Sequence, residues 1–377
     1  MTKWIEAQVP RVQSLLRYIL KTEAQRFPSI ASVLLRIATN PGRMFRPRLV
    51  FLGAASEYRP LDEVFDPLED EEKEWEGVGQ QLRSLNWQKI SKEEVPDLWL
   101  EQKPKHWALS NRFFLVASAI EILHLATLIH DDVIDGAPLR RGLETVHRVV
   151  GVPQAVLLGD YLFSLSFGLL NENLPRHMLR ILASCFGLMA QAELEEMEFK
   201  DHFFEMLERP SKRRYLKLIG KKTGLLVALS LLAGASMAGA EQKKLENLGR
   251  AGYSLGIAFQ IHDDLKDYLG DSTSTGKPTG LDLKDRFITL PLIEGLTVEN
   301  NPSQKTELIN WITIYVKTEN LSEQEKIFQK VVGRLHQLGA FERVNQEKEN
   351  YIQRCLSQVT DLKTEFSALV SAFINKV

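Results

Sequence analysis

The chain has 377 residues, and its 47 Lys or Arg and 49 Asp or Glu give a formal net charge of -2. The absence of a basic excess argues against a nucleic-acid-binding protein, and the 44% apolar share excludes a largely disordered chain. The two cysteines, Cys185 and Cys355, are too few and too far apart for a disulfide framework or a zinc knuckle, which favours the reducing cytoplasm.

Helical periodicity dominates the chain. Apolar residues recur at helical spacing in segments 12–22, 29–39, 110–130, 153–170, 178–208, 245–269 and 323–338. No segment shows convincing strand-like alternation, and no linker rich in Gly, Ser or Pro divides the chain. The sequence therefore predicts an all-α fold with a single domain over residues 1–377.

Two charged segments precede the first long helix. Arg43, Arg46 and Arg48 cluster near the N-terminus, and residues 57–76 then carry ten acidic against two basic side chains. A solvated loop is the simplest interpretation of the acidic run. However, four of the six Trp residues follow closely, and disordered segments are poor in aromatics. We interpret residues 60–106 as an insertion that packs partly on the body or on a partner.

An aspartate cluster ends the apolar segment 110–130. Asp131 and Asp135 are four residues apart, so on a helix they share one face with Asp132 beside them. Asp263, Asp264 and Asp267 repeat the pattern at the end of segment 245–269. The alternative for a single cluster is a solvated helix end. Two identical clusters favour a Mg²⁺ site, since Mg²⁺ is typically held by one or two carboxylates together with substrate phosphates.

Basic groups suited to phosphate oxygens accompany both clusters. Arg140 and Arg141 follow the first, Lys277 follows the second, and Lys222 opens a charge-free run over residues 223–240. That run meets the length of a membrane-spanning helix, but its Gly and Ser content favours a buried core helix and predicts no transmembrane segment. Together, these groups indicate a helical, apolar cavity whose mouth binds a diphosphate.

At this point the residues resemble a known family, the trans-isoprenyl diphosphate synthases or polyprenyl synthetases. The resemblance spans most of the chain outside the insertion. It is strongest at residues 121–142 (EILHLATLIHDDVIDGAPLRRG), 158–163 (LGDYLF) and 259–291 (FQIHDDLKDYLGDSTSTGKPTGLDLKDRFITLP). It implies an isoprenoid-synthase-type helical bundle around a central apolar cavity, and head-to-tail condensation of isopentenyl diphosphate with an allylic diphosphate.

The resemblance also implies roles for individual residues. Three Mg²⁺ ions are expected on the two aspartate motifs. Arg140, Lys222 and Lys277 would contact the allylic diphosphate, and Thr223 and Gln260 would face the developing cation. Isopentenyl diphosphate would be held by Arg43, Arg46, His124 and Arg141. A homodimer is expected, with peripheral membrane contact allowed for product release.

Three positions depart from the family pattern. Arg43 stands where the family usually has Lys, and Met44 stands where it has the next Arg. Phe287 stands where the family has Lys, with Arg286 as the obvious substitute. Product length is predicted from the residues before Asp131, which lead into the cavity at about 1.5 Å each. Ala126 and Thr127 are small where short-chain members carry aromatics, so the floor should lie deeper, at Leu123, at Ile122 or on a facing helix such as segment 162–170. We expect a product longer than C15.

Two alternatives to a self-sufficient synthase stay open. The departures at Met44 and Phe287 and the insertion are compatible with a regulatory or weakly active subunit of a heteromeric synthase. A terpene cyclase shares the fold and the first motif, but it would normally carry an Asn-Ser-Glu type second site in place of residues 263–267.

Overall fold

The computed structural model describes residues 2–40, 42–57, 111–140, 142–270 and 279–374. These residues divide into two compact units, one formed by Met1–Leu179 with Ala233–Gly239 and the other by Arg180–Leu232 with Ala240–Val377. The sequence prediction of a single domain stays a prediction, and the insertion at 60–106 lies outside the described residues.

The first unit consists of helices and one short hairpin. Its elements are α1 (Thr2–Arg26), a 3-10 turn (Pro28–Ile30), α2 (Ala31–Thr39), α3 (Phe45–Ala55), α4 (Asn111–Ile134), β1 (Leu139–Arg140), β2 (Leu143–Glu144), α5 (Val146–Val150) and α6 (Val152–Asn173). Strands β1 and β2 pair antiparallel. Helix α4 packs along α6, where the Ser166 hydroxyl donates to the Ala119 carbonyl at 2.7 Å.

The described secondary-structure elements of the second unit are all helices. Its elements are α7 (Arg176–Asp201), α8 (Phe203–Glu208), α9 (Lys212–Ile219), a π-helical turn (Gly220–Gly224), α10 (Leu225–Met237), α11 (Gln242–Leu269), α12 (Leu281–Lys284), α13 (Leu290–Val298), α14 (Pro302–Lys317), α15 (Leu321–Gln337), α16 (Ala340–Gln358), a 3-10 turn (Thr360–Leu362) and α17 (Lys363–Phe373). Helices α7 and α10 each contribute residues to both units. Helix α11 packs along α16.

The all-α prediction is confirmed, with two local differences. Segment 178–208 is two helices, because His202 leaves helical geometry at φ -98° and ψ 21° between α7 and α8. Strands β1 and β2 have two residues each, too short to produce a readable alternation.

Three helical stretches are long and apolar enough to cross a membrane by length and composition: Asn111–Ile134, Val152–Asn173 and Lys212–Met237. The most apolar windows of the first and third are 72% buried within the protein itself, against 39% for the second. The charge-free run at 223–240 is thus largely a core segment, as predicted. The absence of a transmembrane segment stays a prediction.

Candidate active site

The first aspartate motif closes helix α4. Asp132 is buried at 4% exposure, Asp131 is half-buried and Asp135 is exposed. The Asp135 amide donates to the Asp131 carbonyl at 2.8 Å, so the two residues stand one helical turn apart. Gly136 then takes φ 61°, a left-handed conformation that ends the helix. The predicted position at a helix terminus is confirmed for this motif.

Arg140 neutralises the buried carboxylate of this motif. Its Nε donates to Asp132 Oδ1 at 2.7 Å and to Oδ2 at 2.9 Å. Burial raises the pKa of Asp132, and the Arg140 charge offsets part of that rise. Strand β1 carries Arg140, and the Thr145 hydroxyl, directly after β2, donates to the Ala137 carbonyl at 2.7 Å. The two Nη groups of Arg140 donate to no described residue, so they are available to an anion.

His130, directly before the motif, fixes α4 against α6. Its Nε2 lies 3.2 Å from the Val156 carbonyl oxygen and 3.4 Å from Asp160 Oδ1. Its ring rests on the backbone of Gly159, where any Cβ would collide with it. Gly159 and Asp160 belong to the LGDYLF stretch, so that stretch supports the end of α4 that carries the motif.

The basic N-terminal segment lies at the start of α3. Arg43 is exposed and Arg46 half-buried, whereas Met44 is 1% exposed and takes φ 51°. Arg48 donates two hydrogen bonds to the Glu6 carboxylate, with Nε–Oε1 and Nη2–Oε2 distances of 2.7 Å. The family's Arg position is therefore occupied here by an apolar side chain turned into the core.

The predicted chain-length residues form the buried middle of α4. Leu123 and Ala126 are fully buried, and His124 and Thr127 are half-buried. The Thr127 hydroxyl donates to the His124 carbonyl at 2.8 Å, which uses its proton within the helix. Their role in chain length stays a prediction.

The second aspartate motif closes α11 and is held by neutral donors. Asp264 is 1% exposed and accepts hydrogen bonds from the Tyr215 hydroxyl and, at 3.0 Å, from Gln260 Nε2. Thr223 Oγ1 donates to Gln260 Oε1 at 2.8 Å and fixes the orientation of that amide. Burial raises the pKa of Asp264 to about 7, against the lowering effect of both hydrogen bonds. Asp263, beside it, is exposed.

Asp267 completes the motif and binds the backbone of a neighbouring turn. Its carboxylate accepts from the Leu281 amide at 3.0 Å and the Asp282 amide at 3.2 Å, at the start of α12. Burial raises the pKa of Asp267 to about 6, with a contribution from the charge of Asp285. Burial and the charges of Asp267 and Asp264 also raise the pKa of Asp282. This end of the unit accumulates negative charge.

Lys222 lies in the π-helical turn, a feature that is frequent at functional sites. Its ammonium donates to Glu193 at 3.0 Å and Glu196 at 2.7 Å on α7. Gly220 opens the turn and lies against Tyr253, whose hydroxyl any Cβ at this position would meet. The turn therefore brings Lys222 and Thr223 close to α11 and α7.

The donor set fits Mg²⁺, which prefers carboxylate oxygens and retains other ligands. Among the described residues, no three His, Cys, Asp or Glu side chains converge as a metal-binding group. A convergent triplet is not required, because Mg²⁺ is typically bound by one or two protein carboxylates together with substrate phosphates. Buried carboxylates supported only by neutral donors, as at Asp264, are groups whose charge a cation would stabilise.

Two predicted phosphate-binding residues, Arg141 and Lys277, lie outside the described residues. Sequence reasoning missed four residues: Tyr215 and Asp282, which the structure places at the second motif, and Glu193 and Glu196, which accept hydrogen bonds from Lys222. Only Tyr215 had a detectable signal, since it precedes Lys222 by two helical turns. The ligand and metal roles of all predicted site residues stay predictions.

An all-α fold with two Asp-Asp-x-x-Asp motifs, each closing an apolar helix, defines the class of trans-isoprenyl diphosphate synthases. A family model described as polyprenyl synthetase matches residues 99–331, and the chain belongs to that family.

Two relatives and one solved structure are similar to this chain. The chain is 34% identical over 215 residues to a short chain isoprenyl diphosphate synthase from Methanocaldococcus jannaschii, covering 56% of this chain and 64% of that protein. It is 31% identical over 252 residues to heptaprenyl diphosphate synthase component 2 from Bacillus subtilis, covering 67% and 68%. A Caulobacter crescentus polyprenyl synthase, solved with calcium and isoprenyl diphosphate, shares its fold with a TM-score of 0.74 at 24% identity, over 99% and 96% of the two chains.

Proposed function

We propose that the chain is a polyprenyl diphosphate synthase that condenses isopentenyl diphosphate with an allylic diphosphate in a Mg²⁺-dependent, head-to-tail reaction. The observation that carries the proposal is the pair of aspartate motifs at the ends of α4 and α11, each with one deeply buried carboxylate. The matched region spans slightly less than two thirds of the Methanocaldococcus relative, so activity, substrates and partners are our proposals.

Bound Mg²⁺, with three ions expected, would neutralise the allylic diphosphate and stabilise it as a leaving group. The carbon–oxygen bond breaks and the diphosphate leaves with the electron pair. The isopentenyl double bond then attacks the allylic cation, and loss of a proton to the released diphosphate restores a double bond. All six aspartates of the motifs would hold the metals, directly or through water: Asp131, Asp132, Asp135, Asp263, Asp264 and Asp267. Asp132 and Asp264 are the buried members of the two motifs.

The chain's cationic groups would bind the diphosphate directly. Arg140 keeps Asp132 paired through Nε and presents its Nη groups to the phosphate oxygens. Lys222 would exchange its bonds to Glu193 and Glu196 for bonds to the diphosphate. Arg43, Arg46, His124 and Arg141 are proposed for isopentenyl diphosphate, and Lys277 for the allylic substrate.

Two uncharged side chains are proposed to face the cation. Thr223 donates its hydroxyl hydrogen to Gln260 Oε1. The lone pairs of the hydroxyl oxygen are therefore free to face the positive charge. Gln260 in turn is fixed by its bond to Asp264. Such fixed dipoles stabilise positive charge without reorganising during the reaction.

The product is proposed to exceed C15. Ala126 lies five residues before Asp131, about 7.5 Å along the helix axis, and its methyl group is much smaller than the aromatic side chain that short-chain members of the family carry there. Leu123, further along, is a candidate for the floor of the cavity. The Bacillus relative is named a heptaprenyl synthase component, which supports a longer product.

A homodimer in the cytoplasm is proposed as the working form. On α6, Val152, Val156 and Leu157 are exposed at 50%, 37% and 67%, an apolar surface of the kind that subunits cover. Both cysteines are buried and unpaired, in keeping with a reducing compartment. Peripheral contact with a membrane for product release is part of the same proposal.

The second candidate function is a subunit of a heteromeric synthase. The buried, apolar Met44 at a family Arg position favours it, and the Bacillus relative is itself named as a component.

A turnover experiment tests the proposal and the roles of the two motifs. Labelled isopentenyl diphosphate and geranyl, farnesyl or geranylgeranyl diphosphate are supplied with Mg²⁺ or with excess chelator. We expect Mg²⁺-dependent incorporation that falls about 10²-fold or more in Asp131→Asn and Asp263→Asn. Asp201→Asn, at the exposed end of α7, is the matched control and should keep full activity. Chelator-resistant incorporation would contradict the proposal.

A further inference from the structure

A chain of four hydrogen-bonded side chains links Tyr215 to the residues proposed to face the cation. The Tyr215 hydroxyl donates to Asp264 Oδ2, and Gln260 Nε2 donates to Asp264 Oδ1 at 3.0 Å. Thr223 Oγ1 donates to Gln260 Oε1 at 2.8 Å. The four residues belong to α9, α11 and the π-helical turn, all within the second unit. Tyr215 and Thr223 are therefore the two ends of one continuous path.

The hydrogen bonds of this chain run in one direction while Asp264 is ionised. An ionised carboxylate accepts hydrogen bonds and donates none, so Gln260 presents its NH₂ group to it. The amide oxygen of Gln260 then faces Thr223, whose hydroxyl has to donate. The orientation of the Thr223 hydroxyl is thus set from the buried carboxylate.

The Thr223 hydroxyl bonds to another helix rather than to its own turn. A helical threonine can donate to the carbonyl four residues earlier. Four described threonines do so at 2.6–2.9 Å: Thr22, Thr297, Thr306 and Thr313. Thr223 instead donates across to Gln260 on α11. Its orientation therefore depends on the amide of Gln260 and not on local helix geometry.

Tyr215 completes the hold on the Asp264 carboxylate. Each carboxylate oxygen has one donor, and among the described residues no third side chain donates to either. Asp264 is 1% exposed, which leaves little access for water to replace a lost donor. Without the Tyr215 hydroxyl, one oxygen of a buried carboxylate would lack a partner, which is costly. The group would then turn, and the amide of Gln260 would lose its fixed orientation.

An anchored helix places the Tyr215 hydroxyl. Tyr215 is 4% exposed in the first turn of α9. In the same turn, the ammonium of Lys212 lies 3.1 Å from Glu294 Oε1 on α13 and 2.9 Å from Glu347 Oε2 on α16. These ion pairs hold the start of α9 against two helices. Tyr215 therefore reaches Asp264 from a rigid support, as the groups that orient a reactive site require.

We propose that Tyr215 is a positioning residue of the reaction, whose hydroxyl fixes the Asp264 carboxylate. The fixed carboxylate holds Gln260, and Gln260 turns the oxygen of Thr223 toward the developing cation. Tyr215 acts through Asp264 and not by contact with a substrate. The role in the reaction rests on the proposed function, whereas the chain of hydrogen bonds does not.

Nuclear magnetic resonance of the metal-free protein tests the chain without turnover. The side-chain amide signals of Gln260 are assigned in ¹⁵N-labelled protein with a Gln260→Leu variant. Tyr215→Phe removes only the hydroxyl and should shift both amide hydrogen signals of Gln260 and lower the order of its NH₂ group. Tyr351→Phe, at a buried tyrosine of α16, is the matched control and should leave these signals unchanged. Unchanged Gln260 signals in Tyr215→Phe would overturn the proposal.

A double-mutant cycle on turnover tests the effect on the reaction. Tyr215→Phe should lower kcat about tenfold or more and leave the KM of both substrates within about twofold, because no diphosphate contact is removed. Thr223→Val has no hydroxyl to orient, so adding Tyr215→Phe to it should cost much less than in the wild type. A role of Tyr215 in packing alone predicts equal losses in both backgrounds.

The outcomes separate this proposal from the proposed function. Equal losses of kcat in the two backgrounds, or a raised KM with unchanged kcat, would refute the path through Gln260. Absence of turnover by the wild type with every primer would refute the proposed function and the positioning role with it. The Gln260 signals would still show in that case whether the hydrogen-bond chain exists.

Discussion

Replacing Asp264 by Asn should stabilise the metal-free protein at neutral to alkaline pH while removing a carboxylate that the reaction needs. Asp264 is 1% exposed, and its hydrogen bonds come from the neutral donors Tyr215 and Gln260. An asparagine can keep both contacts. Its oxygen accepts from Tyr215, and a flipped Gln260 amide accepts from its NH₂ while the Thr223 hydroxyl turns to accept. The substitution therefore removes charge with little change of packing.

The magnitude follows from the pKa of Asp264, which burial raises from 3.8 to about 7. The folded state then binds this proton more tightly than the unfolded state does, so the contribution of Asp264 to stability is fully present below pH 4. It is lost progressively as the pH rises through about 7. Between pH 5 and pH 8 the loss amounts to roughly 2–3 kcal/mol, at about 1.4 kcal/mol for each pH unit.

Urea unfolding of both proteins at pH 5, 6, 7 and 8 in the presence of a chelator measures this difference. The free energy of unfolding of the wild type should fall relative to Asp264→Asn by that amount over the range. Asp201→Asn, with an exposed carboxylate at the end of α7, is the control and should follow the wild type. Mg²⁺ should restore more stability to the wild type than to Asp264→Asn.

Two results would refute this reasoning. One is a stability difference between wild type and Asp264→Asn that does not depend on pH. The other is a free energy of unfolding that rises with pH in the wild type relative to Asp264→Asn, which would mean that the folded state favours the ionised carboxylate.

Three further predictions concern packing and phosphate binding. Ala126→Phe should shorten the product and cost about 1–3 kcal/mol of stability, because the residue is fully buried. Chromatography of the product measures the chain length, and urea unfolding measures the stability. An unchanged chain length would contradict the placement of Ala126 beside the growing chain. Gly159→Ala should lower the melting temperature and the activity, because the added Cβ displaces His130. Adding His130→Ala to the same chain should restore the melting temperature. No recovery would refute the contact between His130 and Gly159. Lys222→Met should raise the allylic KM roughly tenfold or more, since one charge-assisted contact is lost; an unchanged KM would remove Lys222 from the diphosphate site.

The positions of the two aspartate motifs could be predicted because they depend on local spacing. A four-residue interval at the end of an apolar run places Asp131 and Asp135 on one face of a helix terminus without knowledge of the tertiary fold. The same reasoning predicted α4 and α11 within a few residues. Pattern reading suffices where the neighbours lie on the same helix.

The partners of the motifs could not be predicted, because they come from distant parts of the chain. Tyr215 reaches Asp264 across 49 positions of sequence, and the charges on Asp282 and Asp267 interact only because α12 folds onto the end of α11. The pKa of Asp264 follows from burial, which no spacing reveals. The burial of Met44 could not be predicted either, since it depends on a left-handed backbone conformation at that residue.

Incorporation of labelled isopentenyl diphosphate by the purified chain alone, with each allylic primer in turn, tests the central claim most directly. A self-sufficient polyprenyl diphosphate synthase predicts Mg²⁺-dependent turnover and a product beyond C15. No incorporation with any primer would contradict that claim, and activity that appears only after a partner chain is added would identify the protein as a subunit of a heteromeric synthase.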